Sequence, residues 1–267
     1  MGEAARSEAE QGSGGRLRRA APPVIVVALL LLAWEAYVRV SGVSPIVLPS
    51  PTRILGALLD FRDVAFGHTI PTVMETLIGF GVSVVAAVLV AIAMDQAAWL
   101  RRSLYPLLVG SQTIPIVAIA PLLVLWFGFG LLPKVLVIVL VTFFPITVSL
   151  LDGFASTKGE ATDLLATMGA TRGQVFRKLR WPAALPALFT GLRIAATYAV
   201  VAAIFGEYVG AFEGLGIWMQ ISRNAFRADL VFVAILIASV LSILLFVGVS
   251  WLETLAIPWY RASRRRP

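Results

Sequence analysis

The feature that most limits the fold of this chain is a series of long apolar runs. A helix needs about 20 mostly apolar residues to cross the hydrocarbon core of a bilayer, which is about 30 Å thick. Six runs come close to that length, so we predict an all-α membrane protein with six transmembrane helices. The runs cover residues 24–40, 77–94, 104–127, 135–151, 185–205 and 231–251.

The composition supports contact with lipid along most of the chain. Hydrophobic residues make up 59% of the 267 residues and charged residues only 14%, whereas soluble chains average about 45–50% apolar and about 25% charged residues. We therefore predict one membrane domain over residues 22–260. Residues 1–21 are rich in Gly, Glu and Arg without periodicity and are predicted to form a disordered cytoplasmic tail. Residues 261–267 are predicted to form a basic cytoplasmic tail.

The basic residues predict the orientation. With the N-terminus in the cytoplasm, fifteen of the 22 Lys and Arg residues fall on the cytoplasmic side, six fall on the opposite side, and Arg193 lies within the fifth span. This excess follows the positive-inside rule. An even number of spans predicts that both termini are cytoplasmic. The net charge of +7 therefore indicates topology and contact with anionic lipid headgroups, and we predict no nucleic-acid partner.

Several chemistries lack the residues that they need. The chain has no cysteine, which excludes disulfides and thiolate-ligated metals. His68 is the single histidine, and its short polar surroundings predict a solvated loop residue rather than a metal ligand. We find no Ser/His pair and no facing carboxylates, so we predict no catalytic residue and no metal site. The phosphate-binding pattern G-x-x-x-x-G-K-[ST] does not occur either, so this chain cannot bind ATP in that manner.

Residues 152–184, between the fourth and fifth spans, form a large cytoplasmic loop that predicts two short helices. Two capping boxes start these helices, and an apolar stripe follows the first box. A glycine ends the first helix, because a left-handed C′ position costs glycine little, and a Trp–Pro pair closes the second. The boxes are Thr157 with Glu160 and Thr171 with Gln174, the stripe is Ala161, Leu164, Leu165 and Met168, and the ends are Gly169 and Trp181–Pro182.

Such a helix pair at a membrane face is suited to docking, either on a partner protein or on its own bundle and lipid headgroups. The loop resembles the cytoplasmic motif of ABC importer permeases, which reads E-A-A, three residues, Gly, nine residues, I-x-L-P. Counted from Gly169, the spacing matches in full, with Asp163 at the acidic position, Leu164 and Leu165 at the alanines, and LRWP at the close.

The resemblance extends over residues 48–261, where the sequence is similar to permeases of the sulfonate, taurine and nitrate type. The segments that carry it are LPSPTRILGAL, TIPIVAIAPLLVLWFGFG, FFPI, PAALPALFTGLRIA and GLGIWM. It implies the permease subunit of an ATP-driven importer in a bacterial inner membrane, with a sulfonate, taurine or nitrate-like anion as solute. Relatives with the same motifs carry pyrimidine precursors, riboflavin or bicarbonate, so these solutes stay open as alternatives.

The resemblance also implies partners and a coupling site. The partners are a second permease copy, two ATPase subunits that hold the ATP and Mg²⁺, and an extracytoplasmic substrate-binding protein; no cofactor binds this chain. The loop is then a coupling helix that docks on the ATPase and passes its movement to the spans. The coupling residues that follow from this are Asp163, Leu164, Met168, Gly169, Ala170, Phe176 and Pro182.

Polar groups inside the spans are candidates for the translocation path, because each is costly against lipid. Three of them interrupt the third span, where a proline frees backbone carbonyls that protein or water must satisfy. Interhelical hydrogen bonding is the alternative for Gln112, Thr113 and Thr142, and solvation near the outer end of the fifth span is the alternative for Glu207. The candidates are Gln112, Thr113, Pro115, Thr142, Tyr198 and Glu207.

Other features of the spans have simpler interpretations. Glu35 and Arg39 are four residues apart and predict an ion pair on one helix face. Arg193 is predicted to snorkel toward the cytoplasmic face. Gly206-x-x-x-Gly210 predicts either close helix approach, at the seam between two copies, or a turn.

Two other classes of protein are the rivals. A secondary transporter is typified by inverted repeats and intramembrane ion sites, and we find no convincing internal repeat. A membrane-embedded enzyme would need the catalytic groups that are missing above. Neither class explains the docking loop.

Overall fold

A computed structural model describes residue 22 and residues 24–157 and 159–259. These residues form helices and loops without a strand, so the predicted all-α class is confirmed. The tails predicted at residues 1–21 and 261–267 lie outside the described residues. The helices are α1 (Val24–Ser41), α2 (Pro51–Asp60), α3 (Arg62–Gln96), α4 (Ala98–Ser111), α5 (Ile116–Phe127), α6 (Leu131–Ala155), α7 (Glu160–Thr167), α8 (Arg172–Val175), a π-helix (Phe176–Arg180), α9 (Trp181–Gly210), α10 (Leu215–Asn224) and α11 (Ala228–Ala256).

Five helices in the described part of the chain are long and apolar enough to cross a membrane. They are α1, α3, α6, α11 and the continuous helix Arg172–Gly210, which contains α8, the π-helix and α9. The predicted third span is a pair, α4 and α5, bent by 103° at its break. Counting that pair as one span gives the six that the sequence predicts. The second span is much longer than predicted, since α3 already begins at Arg62.

The described residues divide into two compact units, and the smaller one comprises residues 24–61 and 222–233. Within it, α1 is apolar and almost wholly exposed, as expected for a helix that faces lipid. The Glu35 carboxylate accepts hydrogen bonds from the Thr52 N–H at 3.0 Å and the Thr52 hydroxyl at 2.8 Å. It also pairs with Arg39 at 2.7 Å, which confirms the predicted ion pair. Glu35 thereby joins α1 to the start of α2.

The larger unit comprises the described residues of 62–221 and 234–259 and is built on α3, α6 and α9. Small residues let α6 and α9 approach closely. A Cβ added at Gly191 would lie 2.8 Å from the Pro145 carbonyl oxygen, which is too short for any real contact. The core between the helices contains fully buried apolar side chains, among them Met94, Ile146, Leu150, Phe154 and Ala195. This packing holds the functional loop at one end of α6 and α9.

The Gly206-x-x-x-Gly210 motif contributes to the same packing. Both glycines lie within α9, so the interpretation as a turn was wrong. A Cβ on Gly206 would lie 3.2 Å from the Lys134 Cα, and one on Gly210 would lie 2.7 Å from a Val124 methyl group. The motif therefore permits close approach of helices within this chain.

Candidate functional site

The loop between α6 and α9 contains the two short helices that the sequence predicts. The first, α7, is followed by Gly169, whose φ of +83° is the left-handed conformation expected at that position. The second, α8, begins with a capping box. The Thr171 hydroxyl accepts from the Gln174 N–H at 3.4 Å, and the Gln174 side-chain oxygen accepts from the Thr171 N–H at 2.8 Å. The predicted second box is confirmed.

Two other predicted helix ends were wrong. Gly159 precedes α7, and the Thr157 hydroxyl donates to the Phe154 carbonyl instead of capping that helix. Pro182 does not close the second helix, because the ladder widens into the π-helix and continues as α9. The Trp181 N–H bonds to the Phe176 carbonyl, five residues back. Pro182 then stands in the first turn of α9, where a missing N–H is tolerated.

The predicted coupling residues divide into an exposed group on α7 and a packed group after it. Leu164 and Met168 expose 61% and 74% of their surfaces. Asp163 and Gly169 are exposed beside them, and Ala170 is half-buried. Exposed apolar side chains gathered on one short helix mark an interaction site more often than scattered ones do. The interpretation of a helix pair resting on its own bundle therefore does not hold for α7.

The packed group fixes the loop to the end of α6. Val175 is buried, and the Phe176 ring lies 5.6 Å from Phe154 and 6.2 Å from Trp181 between ring centroids. Aromatic rings at these separations attract one another beyond the area that they bury. Phe176 thus belongs to an aromatic cluster within the chain and is only half-exposed. Pro182, next to Trp181, is half-buried as well.

The predicted interruption of the third span is present as the break between α4 and α5. Gln112, Thr113 and Pro115 occupy it. The Gln112 side chain bonds only weakly, to its neighbour Ser111 at 3.4 Å, and the Thr113 hydroxyl donates to the Gly110 carbonyl at 2.8 Å. The alternative of interhelical hydrogen bonds is therefore wrong for both. A cavity of about 310 Å³ opens at the break, lined by Ser111, Gln112, Ile114, Pro115, Ile116, Ile119, Leu140 and Val141.

Two of the three remaining predicted path residues, Thr142 and Tyr198, lie elsewhere in the spans. Thr142 is fully buried, and its hydroxyl donates to the Ile138 carbonyl of its own helix at 2.8 Å. Interhelical bonding is wrong for this residue too. Tyr198 is 53% exposed on α9 and does not line the cavity at the break. The structure thus brings Gln112 and Pro115 together and separates Thr142 and Tyr198 from that cavity.

Glu207, a predicted path residue, is fully buried near the end of α9, so the alternative of a solvated side chain was wrong. Its Oε1 accepts a hydrogen bond from the Thr72 hydroxyl at 2.6 Å, and its Oε2 accepts one from the Gly216 N–H at 2.5 Å. The Thr72 hydroxyl oxygen accepts in turn from the Leu215 N–H at 2.9 Å. Both carboxylate oxygens are used inside the fold, since they hold the start of α10.

His68 completes the same arrangement. It lies within α3, so the prediction of a loop residue was wrong. Its Nδ1 accepts from the Gly214 N–H at 3.2 Å, and its ring stacks on Trp218 with centroids 5.8 Å apart. Three successive N–H groups at the start of α10 therefore bind side chains of α3 and α9. We call His68, Thr72 and Glu207 the α10 cap.

Two ion pairs of the spans were missed by the sequence analysis. Lys134 Nζ lies 2.5 Å from Glu75 Oε1, and both side chains are buried. Arg193 pairs with Glu253 near the end of α11, and both side chains are partly exposed. Glu75 was missed because the second span was predicted to begin at residue 77. Among the described residues, no three His, Asp or Glu side chains are grouped as a metal ion would need.

Comparison with known proteins gives consistent matches over this architecture. The family model described as "binding-protein-dependent transport system inner membrane component" matches residues 83–258. A formylaminopyrimidine transport permease protein of Halalkalibacterium halodurans is 42% identical, covering 86% of this chain and 92% of the relative. A riboflavin transport system permease protein of Chloroflexus aurantiacus is 36% identical, covering 86% and 87%. A taurine transport system permease protein of Escherichia coli is 29% identical, covering 87% of each.

A solved structure has a similar fold. A chain of the methionine ABC transporter MetNI, in an inward-facing conformation, superposes with a TM-score of 0.58 and 20% identity. The match covers 73% of this chain and 95% of that chain. At this identity the similarity concerns the arrangement of helices alone.

Proposed function

Because the chain belongs to the family of binding-protein-dependent transport system inner membrane components, as the permease subunit of a bacterial ABC importer, we propose that it carries an uncharged nitrogen heterocycle, such as a pyrimidine precursor. The importer class brings with it a separate ATPase and a substrate-binding protein. Two permease copies and two ATPase subunits complete the complex that we propose. The loop over α7 and α8 docks on the ATPase, and ATP and Mg²⁺ bind to that partner.

The observation that carries the coupling role is the exposure of Leu164 and Met168 beside Asp163 on α7. Apolar surface covered by a partner contributes about 25 cal/mol per Å², and the adjacent carboxylate gives the contact its orientation. Gly169 and Ala170 turn the chain between the two helices, while Phe176 and Pro182 hold the loop against the bundle. When the ATPase moves, the exposed residues of the loop move with it, and the packed residues pass that movement to the transmembrane helices.

Coupling is tested with the reconstituted importer, comprising permease, ATPase and binding protein in proteoliposomes. Asp163→Arg and Gly169→Pro are expected to lower solute uptake at least about fivefold relative to ATP hydrolysis, because one reverses the contact charge and the other cannot adopt φ of +83°. Arg102→Glu, at an exposed position outside the loop, is the matched control and retains uptake. Full uptake by both loop variants, or uptake that persists after ATP depletion, contradicts the proposal.

The choice of solute rests on similarity and on charge. Relatives named for a formylaminopyrimidine and for riboflavin are more similar to this chain than those named for taurine and aliphatic sulfonates. Lys134 and Arg193, which lie inside the spans, are each paired with a carboxylate, and their charges are already neutralised. The path that we propose uses Gln112, Thr113, Pro115 and Tyr198, whose amide, hydroxyl and aromatic groups suit an uncharged ring, and it leaves out Thr142, which is fully buried and bonded within its own helix.

The solute is identified by uptake in the same proteoliposomes, with the binding protein encoded beside this permease. A labelled formylaminopyrimidine is expected to accumulate at least about tenfold more than taurine or an alkanesulfonate at equal concentration, in the range of specificity that polar contacts give. Accumulation of taurine without the pyrimidine assigns the anion alternative instead. Gln112→Leu, at the break between α4 and α5, is expected to slow uptake without changing assembly with the ATPase.

A further inference from the structure

Arg180 connects three helix ends at the base of the loop. Its Nη2 donates to Asp95 Oδ1 at 2.5 Å and to the Phe154 carbonyl oxygen at 3.3 Å. Asp95 lies at the end of α3 and Phe154 at the end of α6, while Arg180 itself ends the π-helix before α9. These three helices form the centre of the larger unit. A single guanidinium thus joins the base of the loop to the end of α6, from which the loop starts, and to α3, whose Asp95 is 85 residues away in sequence.

The Arg180–Asp95 pair is largely buried, but some of its hydrogen-bonding atoms have no partner. The Asp95 side chain is 1% exposed and the Arg180 side chain 15%. Asp95 Oδ2 and Arg180 Nε are buried and make no hydrogen bond. A two-point contact between guanidinium and carboxylate is the usual, stronger arrangement. A one-point contact leaves donors and acceptors free, so the two groups can rotate about each other and still remain paired.

The backbone around Arg180 supports such a movement. The π-helix Phe176–Arg180 is a single wide turn with five-residue hydrogen bonding, a form that is frequent at functional sites. The Arg180 guanidinium also lies 5.8 Å from the centre of the Phe154 ring, which packs on Phe176 and Trp181. The loop therefore contacts the end of α6 in two ways: the Arg180 guanidinium lies over the Phe154 ring, and Phe176 and Trp181 pack on the same ring.

We propose that Arg180 and Asp95 are positioning residues for transport, forming the joint that passes the loop's movement to α3 and α6. The assignment rests on the proposed docking of the loop on the ATPase. When the ATPase moves α7 and α8, the buried pair pulls the end of α3 along with α9. Without the pair, α3 loses its direct contact with the loop, and the movement reaches α3 only through α6 and α9.

The test measures solute transported per ATP hydrolysed in the reconstituted importer. Arg180→Gln and Asp95→Asn are expected to lower this ratio at least about fivefold, with the ATPase still bound and still active. The double variant Arg180→Asp with Asp95→Arg, which restores opposite charges, is expected to recover much of the ratio. Arg177→Gln, at an exposed position in the same π-helix, is the matched control and leaves the ratio unchanged.

The outcomes separate this joint from the coupling proposal itself. If Gly169→Pro uncouples transport while Arg180→Gln leaves the ratio intact, the joint is wrong and the docking loop stands. If Gly169→Pro and Arg180→Gln both leave the ratio unchanged, the proposed docking of the loop is itself contradicted. A proportional loss of uptake and hydrolysis, or failure of Arg180→Gln to assemble with the ATPase, shows that the pair only stabilises the fold and overturns the joint.

Discussion

The first N–H groups of α8 and of α10 both need hydrogen-bond acceptors, and the two helices obtain them in different ways. Each short helix has a glycine at its second position, Gly173 in α8 and Gly216 in α10. The first N–H groups of α8 are bound by Thr171 and Gln174, three residues apart. Those of α10 are bound by the α10 cap, whose side chains come from α3 and α9. One helix starts through its own residues, and the other starts only inside an assembled bundle.

This difference determines what each helix can do. A locally capped helix keeps its start wherever the loop moves, which suits a segment that follows a partner. A helix capped by buried groups of other helices is tied to their position, because every displaced N–H leaves an unsatisfied buried carboxylate or hydroxyl. The start of α8 therefore stays intact when the loop moves together with the helix ends on which it is packed, while α10 stays fixed to α3 and α9.

The strongest test of the comparison replaces each of the two glycines with alanine. Gly216→Ala is expected to destabilise the protein by about 3 kcal/mol, because the added Cβ would lie 2.5 Å from the Ile204 carbonyl oxygen and 2.8 Å from the Glu207 Cβ. Gly173→Ala meets no atom within 4 Å and is expected to be neutral or to stabilise by at most about 1 kcal/mol. Unfolding in detergent measures both, and equal effects contradict the distinction.

A smaller effect is expected from the hydroxyl at the centre of the α10 cap. Thr72→Val keeps the side-chain shape but removes the donor to Glu207 and the acceptor for the Leu215 N–H, so we expect a loss of about 2 kcal/mol. Thr76→Val is the matched control one turn along α3. Its hydroxyl is buried without a hydrogen bond, and its removal is expected to be neutral or stabilising. The comparison fails if Thr76→Val is the more harmful change in the unfolding experiment.

The smallest effect is expected at the local cap. Thr171→Ala is expected to cost about 1 kcal/mol, confined to α8, so that amide hydrogen exchange quickens at residues 173–175 while global unfolding is unchanged. Thr157→Ala is the control in the same loop. The Thr157 hydroxyl does not cap α7, and exchange in α7 is expected to stay as it is. Faster exchange across α9 in Thr171→Ala would show that the cap is not local.

The same contrast explains which features were predictable. Thr171 and Gln174 are close in the sequence, so their capping box was predicted, as were the left-handed Gly169 and the break at Pro115. Glu207 acquires its environment from Thr72, which is 135 residues away, and no local pattern reports that contact. The resemblance of the loop predicts a coupling site there, but only packing shows that Leu164 stays exposed on α7 while Phe176 is anchored.

The environments of buried charged residues were harder to predict from the sequence than the local features of the loop. Glu75 and Lys134 are 59 residues apart and lie in segments that hydropathy assigned to loops, because each charge shortens the apparent apolar run. The π-helix was likewise hidden, since Trp181–Pro182 is an ordinary stop signal in sequence. Only the wider turn before it lets the helix run on into α9. Long-range pairing and irregular helix geometry thus account for most of the errors.

The π-helix Phe176–Arg180 also sets the phase between the loop and α9. Each residue of an α-helix advances the chain by about 100° around its axis and 1.5 Å along it. The five residues of the wide turn cover about the same rotation as four residues of an α-helix, so deleting one of them would restore an α-helical ladder and leave α7 and α8 facing nearly the same way. The same five residues wound as an α-helix would instead rotate Leu164 and Met168 by about 100° around the axis. Loops exchanged between related permeases therefore need to keep the number of residues and the type of turn together.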